Sequence, residues 1–498
     1  MRLILLGWLM LVSATAQPAL TGRRFPEPPP LPRELRGLWI ASVGNIDWPS
    51  RPGLPVTQQQ AELRSLLDLA ARLNLNTVIL QVRPSGDALY ASSLEPWSEY
   101  LTGRMGQAPV PLYDPLKFAC DEAHARGLEL HAWFNPFRAR HSKVVSPIAP
   151  NHVVRRKPEW VLPYGQFQWM DPGHPEARDH VMQVALDLVR RYDLDGLHFD
   201  DYFYPYPVRR PDGLFIPFPD HLSYTRYRNN GGRLERADWR RDNVNRFVEA
   251  LYPAVHRIKP WVKVGISPFG IWRPNYPPGI RGLDQFAELH ADPKLWLNSG
   301  WCDYLAPQLY WPLNQPQQSF TALLNWWESQ NTKKRLLVPG LNSAKIGDDR
   351  QSGDILNQVR LTRRDGAEGV LFWNASSLVN NLGGLANSLQ RDLFAKPALI
   401  PATPWLGTNA PAAATLTGSF SLSSNLLTLS WERETNAVTR IQVLRLRYGF
   451  QWDDQFLNPS VQKFYFDRRR RQAIPDEARL IGIGQTGLAG DAAVWRKP

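Results

Sequence analysis

Cysteine is nearly absent, with two in 498 residues. That excludes a disulfide-built scaffold and any cysteine-based zinc cage. Cys120 and Cys302 are expected as free buried thiols on different elements. No cysteine precedes Cys120, so lipid attachment at a signal cleavage site is not expected. Long apolar runs are also missing. The one N-terminal stretch, Leu3 to Val12, falls far short of the ~20 residues a membrane span needs, so no transmembrane anchor is expected. With Arg2 before it and Ser13-Ala14-Thr15-Ala16 after it, residues 1–16 read as a secretory signal. Residues 17–33 follow as a Pro-rich linker, with Pro26 to Pro32 a stiff extended tether. The compartment expected is the periplasm or cell envelope.

Several chemistries lack their signatures. No G-x-G-x-x-G or G-x-x-x-x-G-K-[ST] loop follows any candidate strand, and there is no H-E-x-x-H and no G-x-S-x-G. Neither a cofactor nor a metal is expected. Acidic residues are outnumbered, 46 Asp+Glu against 58 Lys+Arg, for a net charge of +12. This balance and the Arg468–Arg471 run raise a nucleic-acid reading. Export and the distance of the aromatics from that run count against it, so no nucleic-acid partner is expected. The run reads as a solvated edge guard or a patch for anionic envelope polymer.

Tryptophan is abundant, at 20. Buried indoles need a hydrogen-bond partner and exposed ones call for a ligand. Between residues 34 and 395, short apolar runs at 35–42, 75–82, 128–134, 196–200, 262–267, 303–310, 335–340 and 369–373 alternate with amphipathic stretches at 57–73, 115–126, 175–192, 239–259, 319–331 and 355–365. The helix after the fifth run is weakly marked, with 283–290 the candidate. Eight such runs with helices between most of them predict an α/β fold, a (β/α)8 TIM-type barrel. Residues 405–498 change character: 412–417, 426–431 and 440–447 are alternating or β-branched, which predicts a small all-β sandwich.

The connections after strands two, three and four are long and rich in Pro, Tyr, Trp and Arg. In such a barrel they build the face that carries the active site. Strand ends place there Arg83, Trp133, Asn135, Arg138, His198, Tyr202, Gln308, Tyr310, Trp311, Trp373 and Asn374. Rings stack on the apolar faces of sugars, while amide and guanidinium groups bond their hydroxyls. Trp133, Tyr202, Tyr310, Trp311 and Trp373 are the expected platforms. Arg83, Asn135, Arg138, His198, Gln308 and Asn374 are the expected orienting groups.

Carboxylates near this rim are few: Asp47, Asp87, Glu95, Glu99, Asp200 and Asp201. Glycoside hydrolysis normally uses two. Asp200 and Asp201 end the fourth run. Adjacent acids repel when both ionise, which keeps one protonated as an acid. Such a pair also suits substrate-assisted hydrolysis of an N-acetyl sugar. Asp87 is the reserve. Asp47 and Asp87 are equally turn formers, Asp195 reads as structural, and His131 as a satisfied interior residue. The rival reading is a non-catalytic glycan-binding envelope protein on a barrel scaffold.

These segments also resemble a known family. Glu34-Leu-Arg-Gly-Leu-Trp39, Val43-Gly-Asn-Ile-Asp-Trp-Pro49, Gln81-Val-Arg-Pro-Ser-Gly-Asp-Ala-Leu-Tyr90, His131-Ala-Trp-Phe-Asn-Pro136, Asp195-Gly-Leu-His-Phe-Asp-Asp-Tyr-Phe-Tyr-Pro205, Ile266-Ser-Pro-Phe-Gly-Ile-Trp-Arg273 and Ala306-Pro-Gln-Leu-Tyr-Trp311 look like the glycosyl-hydrolase-like 10 family. The resemblance implies a (β/α)8 catalytic domain, often followed by a fibronectin-III-like module. It implies glycosidase action on bacterial envelope polysaccharide, and a division-site member acts on peptidoglycan glycan stripped of its stem peptides. By that analogy Asp200 and Asp201 are the catalytic carboxylates and the partner is the polysaccharide substrate.

Overall fold

The computed structural model describes residues 26–421, 425–432, 439–470 and 472–497. The signal at 1–16, the first part of the linker and Arg471 lie outside them.

Eight runs lie side by side in parallel: Leu35–Ile40, Thr77–Arg83, Glu129–Phe134, Gly196–Phe199, Lys263–Ile266, Tyr304–Leu305, the pair Leu336–Leu337 and Gly340–Asn342, and Gly369–Trp373. The seventh run supplies both ends of the sheet. Leu336–Leu337 pairs with the sixth strand and Gly340–Asn342 with the eighth. Backbone bonds from Gly340 to Pro307 (2.9 Å) and from Leu371 to Pro339 (3.1 Å) continue both edges. The parallel sheet therefore turns back on itself as a barrel-like ring.

Side chains alternate along each strand. Trp39, Ile79, Trp133, Tyr304, Val338 and Leu371 fill the interior as one cluster. Their neighbours Leu38, Ile40, Val78, Leu80 and Val370 face the helices in the larger cluster outside. Two glycines make room for the interior rings. A Cβ on Gly196 would lie 2.5 Å from the His131 ring, and one on Gly265 would lie 1.8 Å from the Tyr304 ring.

The main crossover helices are Val56–Arg72, Pro115–His124, Pro175–Arg191, Arg236–Ile258, Phe320–Gln330 and Ser352–Arg364. The fifth crossover differs from expectation. Only Gln285–Glu288 is helical there, followed by Pro293–Ser299, which begins with Pro at its first turn and the Asp292 side chain capping Leu295 N–H. Neither piece is long enough to show a helical period. The long connection after the third strand holds an antiparallel sheet of Arg138–Arg140, Val161–Tyr164 and Phe167–Met170. Strands of three or four residues leave no readable alternation.

In the tail, Leu416–Ser421, Leu426–Trp431 and Lys463–Asp467 form one antiparallel sheet. Gln451–Leu457, Thr439–Tyr448, Glu477–Gly484 and Ala493–Arg496 form another. Leu429, Trp431, Leu444, Phe466 and Leu480 are part of a shared core. The Pro-rich run read as a tether lies along this tail. Pro26 O accepts from Trp452 Nε1 (3.0 Å), Pro29 O from Arg445 (2.7 Å), and Glu27 pairs with Arg479 (2.6 Å). Cys120 and Cys302 are free and buried.

Much of the tryptophan is structural. Trp48, Trp169, Trp296 and Trp327 are fully buried. Each indole N–H finds an acceptor inside, at Gln59 O, Phe203 O, Asn245 Oδ1 and Gly270 O respectively. The aromatic run after Asp201 is split by the chain's turns. Phe203 and Tyr204 are buried, while Tyr202 and Tyr206 remain partly open.

Candidate functional site

Asp200 and Asp201 follow directly on the fourth strand and are 5% and 4% exposed. Asp200 Oδ2 accepts from Trp133 Nε1 (2.9 Å) and from the Asn135 amide, and Oδ1 accepts from Tyr202 N–H (3.2 Å). Trp133 and Asn135 come from the third strand and the residue just past it. Asn135 is itself held, its Oδ1 accepting from Gln81 Nε2 (2.6 Å). Arg138 donates to Pro84 O (2.9 Å) and lies 5.1 Å from the Tyr202 ring centre.

Asp201 has a different setting. Its Oδ2 accepts from the Tyr206 hydroxyl. Gln308, which donates to Ser267 O (3.0 Å), also helps hold its charge. Burial raises the Asp201 pKa to about 7, and the neighbouring Asp200 charge adds to the rise. Burial raises Asp200 too, against the pull of Arg138 and the Trp133 donor. Two acids on consecutive residues are thus both buried, with unequal support for their negative charge.

The other rim acids are tied to local partners. Asp47 Oδ2 accepts from Ala41 N–H (2.8 Å) and Oδ1 from Ser376 N–H (2.9 Å), joining the first loop to the last. Glu99 accepts from Val145 and Ser146 N–H. Glu95 takes both arms of Arg83 (2.7 and 2.5 Å). Burial pushes the Glu95 pKa up, but Arg83 and His180 outweigh it and hold the carboxyl at about 2.

A family profile described as Glycosyl hydrolase-like 10 matches residues 34–354. The chain belongs to that family. Among its curated relatives, glycosyl hydrolase YngK of Bacillus subtilis (strain 168) is 39% identical over 402 residues, covering 77% of this chain and 76% of the relative. Glycosyl hydrolase DigH of Escherichia coli (strain K12) is 35% identical over 357 residues, covering 67% and 77%. The glycoside hydrolase domain of PgaB (BpsB) from Bordetella bronchiseptica superposes with a TM-score of 0.48 at 17% identity, covering 72% of this chain and 98% of that domain.

In this glycosyl hydrolase-like 10 chain the remaining candidate residues fall into two groups. Tyr310, Trp311, Trp373 and Gln308 are half-buried, at the ends of the sixth and eighth strands. Trp311 meets Phe269 with ring centres 5.5 Å apart, and Trp373 meets Trp133 at 5.8 Å. Asn374 is buried, and its side chain helps hold the Asp47 charge.

Three residues face elsewhere. Arg83 is fully buried, and its donors go to Glu95, Asn135 O (2.5 Å) and Pro136 O (3.0 Å). His198 points into the barrel interior, accepting from Trp39 Nε1 (3.2 Å) and meeting Tyr304 OH (2.8 Å). It shares its strand face with Asp200, but sits two residues deeper. Asp87 is buried within its own loop, accepting from Ser85 N–H (2.8 Å). Burial raises its pKa to about 6. Sequence reasoning singles out Tyr202 and passes over Tyr206, which the turn at Tyr204-Pro205 brings back onto Asp201. Among the described residues, no group of three His, Cys, Asp or Glu is arranged to hold a metal ion, and no helix is long and apolar enough to cross a membrane.

Proposed function

We propose that this chain is an exported glycoside hydrolase acting on an N-acetylhexosamine polymer, with peptide-stripped peptidoglycan glycan as the substrate. The observation that carries the reading is the buried Asp200–Asp201 pair, two acids on consecutive residues with different donors on each. Asp201, its pKa at about 7, gives its proton to the departing glycosidic oxygen. Asp200, held by Trp133, Asn135 and the Tyr202 N–H, orients the acetamido group. The acetamido carbonyl oxygen then attacks the anomeric carbon as the leaving bond breaks. Water next attacks the anomeric carbon, the bond from that carbon to the acetamido oxygen breaks and restores the acetamide, and the water's proton returns to Asp201.

Trp133, Tyr202, Tyr310, Trp311 and Trp373 are the proposed sugar platforms. Arg138, Asn135 and Gln308 supply polar contacts. Family membership supports the reaction class. The adjacent carboxylates support the acetamido-bearing substrate.

The test is incubation of the purified protein with amidase-treated glycan strands, followed by product analysis. Shortened glycans are expected. Unchanged strands in the presence of folded protein would overturn the reading in favour of a glycan-binding envelope protein.

A further inference from the structure

A groove of about 410 Å³ opens along the segment that follows the acidic pair in the chain. Tyr164, Tyr204, Pro205, Arg209, Phe215 and Glu288 are among the residues that wall it. They come from the connections after the third, fourth and fifth strands, all on the face that carries Asp200 and Asp201. Pro205 and Pro207 both line it, and between them stands Tyr206, whose hydroxyl donates to Asp201. The groove and the acidic pair therefore share one short stretch of chain.

Its outer wall is built rather than loose. Arg209 and Phe215 pair as a β-bridge, and Arg210 N–H reaches Leu214 O (2.8 Å) across the turn. Tyr164 latches this hairpin, its hydroxyl donating to Ile216 O (2.9 Å) and accepting from Val208 N–H (3.1 Å). Phe215 is 46% exposed, with the Arg209 guanidinium over its ring.

The charge in the groove is uneven. Arg240 is neutralised by a two-armed bond to Asp220 (both 2.7 Å), and Arg210 pairs with Asp212 (2.9 Å). Burial and the nearby arginines push the His290 pKa down to about 3, so it is uncharged. Glu288 Oε1 accepts from Asp284 N–H (3.2 Å). Arg209 lies 3.9 Å over the Phe215 ring and gives one donor to Gly213 O (2.7 Å). Among the described residues it has no carboxylate partner. Guanidinium groups stacked on a ring keep their in-plane donors free for a carboxylate.

We infer that this groove is a distal glycan subsite for a sugar bearing a free carboxylate, with Phe215 as its platform and Arg209 as the carboxylate's partner. In a peptide-stripped glycan that sugar is a muramic acid, whose lactyl carboxylate is released from its amide when the stem peptide leaves. The inference rests on the glycan reading above and adds to it a reason for preferring stripped strands.

Calorimetric titration tests it, with the full chain carrying Asp201→Asn to suppress turnover. The probes are peptide-stripped strands and the same strands with their carboxyl groups reduced to alcohols. The parent is expected to bind the carboxylate form about tenfold more tightly. Arg209→Gln should remove that preference while leaving affinity for the reduced strands unchanged. Phe215→Ala should weaken both forms alike. A preference that survives Arg209→Gln would overturn the subsite alone. A parent that binds neither strand would overturn the glycan reading with it.

Discussion

Two acidic sites bracket the same four-residue strand and have opposite electrostatics. At the start of Gly196–Phe199, Asp195 is 3% exposed, yet its carboxyl is held well below the usual range. Burial alone would raise it; Arg440 and His124 outweigh burial. His124 Nε2 lies 2.7 Å away, Leu130 N–H 2.9 Å and Arg440 Nε 3.2 Å. At the end of the strand, Asp200 and Asp201 are equally buried, and both are raised. The difference is compensation. The barrel's lower end meets the tail, whose Arg440 closes on Asp195 and also grips Asp193 (2.7 and 3.0 Å). The upper end offers neutral donors, the pull of Arg138 and a second acid, which together do not offset burial. In such barrels the lower face serves stability and the upper face chemistry, and here the contrast falls within six residues.

The largest effect expected from breaking this contrast is at the upper end. Asp201→Asn should lower the turnover of glycan by about 10²- to 10⁴-fold, the usual contribution of a general acid. Stability should move the other way. A buried acid whose folded pKa is about 7 against an ordinary 3.8 binds its proton more tightly in the folded state. Its stabilising contribution is complete below the ordinary value and is lost as pH rises to about 7. The asparagine variant should therefore gain stability on the parent as pH rises from 4 to 8, read as the difference in melting temperature. Equal turnover in the two proteins would remove Asp201 from the reaction.

At the lower end the same kind of substitution should reverse its signature. Arg440→Ala leaves Asp193 and Asp195 without their guanidinium partner. Breaking a buried pair costs about 3–5 kcal/mol; Arg440 is 21% exposed along its side chain, so the lower part of that range is expected. Denaturant titration reads the loss, while kcat on glycan should stay within about twofold. The depressed Asp195 carboxyl stabilises the fold above the ordinary carboxylate range, and that contribution fades as pH falls through its folded value. The variant should thus lose less stability than the parent on acidification. A variant that melts like the parent but turns over slowly would place Arg440 in function rather than in the barrel–tail joint.

The two ends differ in how readily they are seen in the sequence. All eight strands are readable as short apolar runs, six of them followed by an amphipathic helix, and the Asp195-to-Pro205 segment carries both acidic sites within its motif. What pairs with each acid is not readable. Arg440 stands 245 residues from Asp195, in a tail strand whose alternation says nothing of the surface it meets. Arg83 and His198 stand in strand positions that alternation makes equivalent to those of Asn135 and Asp200. For His198 depth along the strand decides, whereas for Arg83 a register shift after Gln81 pairs it with Phe134 and turns it toward Glu95. Tyr206 depends on a turn that only the packed chain defines.

The smallest and most discriminating change is at that tyrosine. Its hydroxyl donates to Asp201, which favours the ionised carboxylate and so holds the Asp201 pKa lower than it would otherwise be. Tyr206→Phe removes the donor and should raise that pKa further. A hydrogen bond to a charged group contributes about 1.5–3 kcal/mol, equivalent to about one to two pKa units, and water entering the space left by the hydroxyl would reduce that to about one. The alkaline limb of the rate profile should then move up by about one pH unit, with turnover at pH 6 within about threefold of the parent. Asp195 and the lower end would feel nothing, so the melting profile below pH 5 should be unchanged. A limb that stays in place while the whole profile drops would mean that Tyr206 positions the sugar instead of setting the acid, and the unequal support of the two carboxylates would have to come from Asp200 and its donors alone.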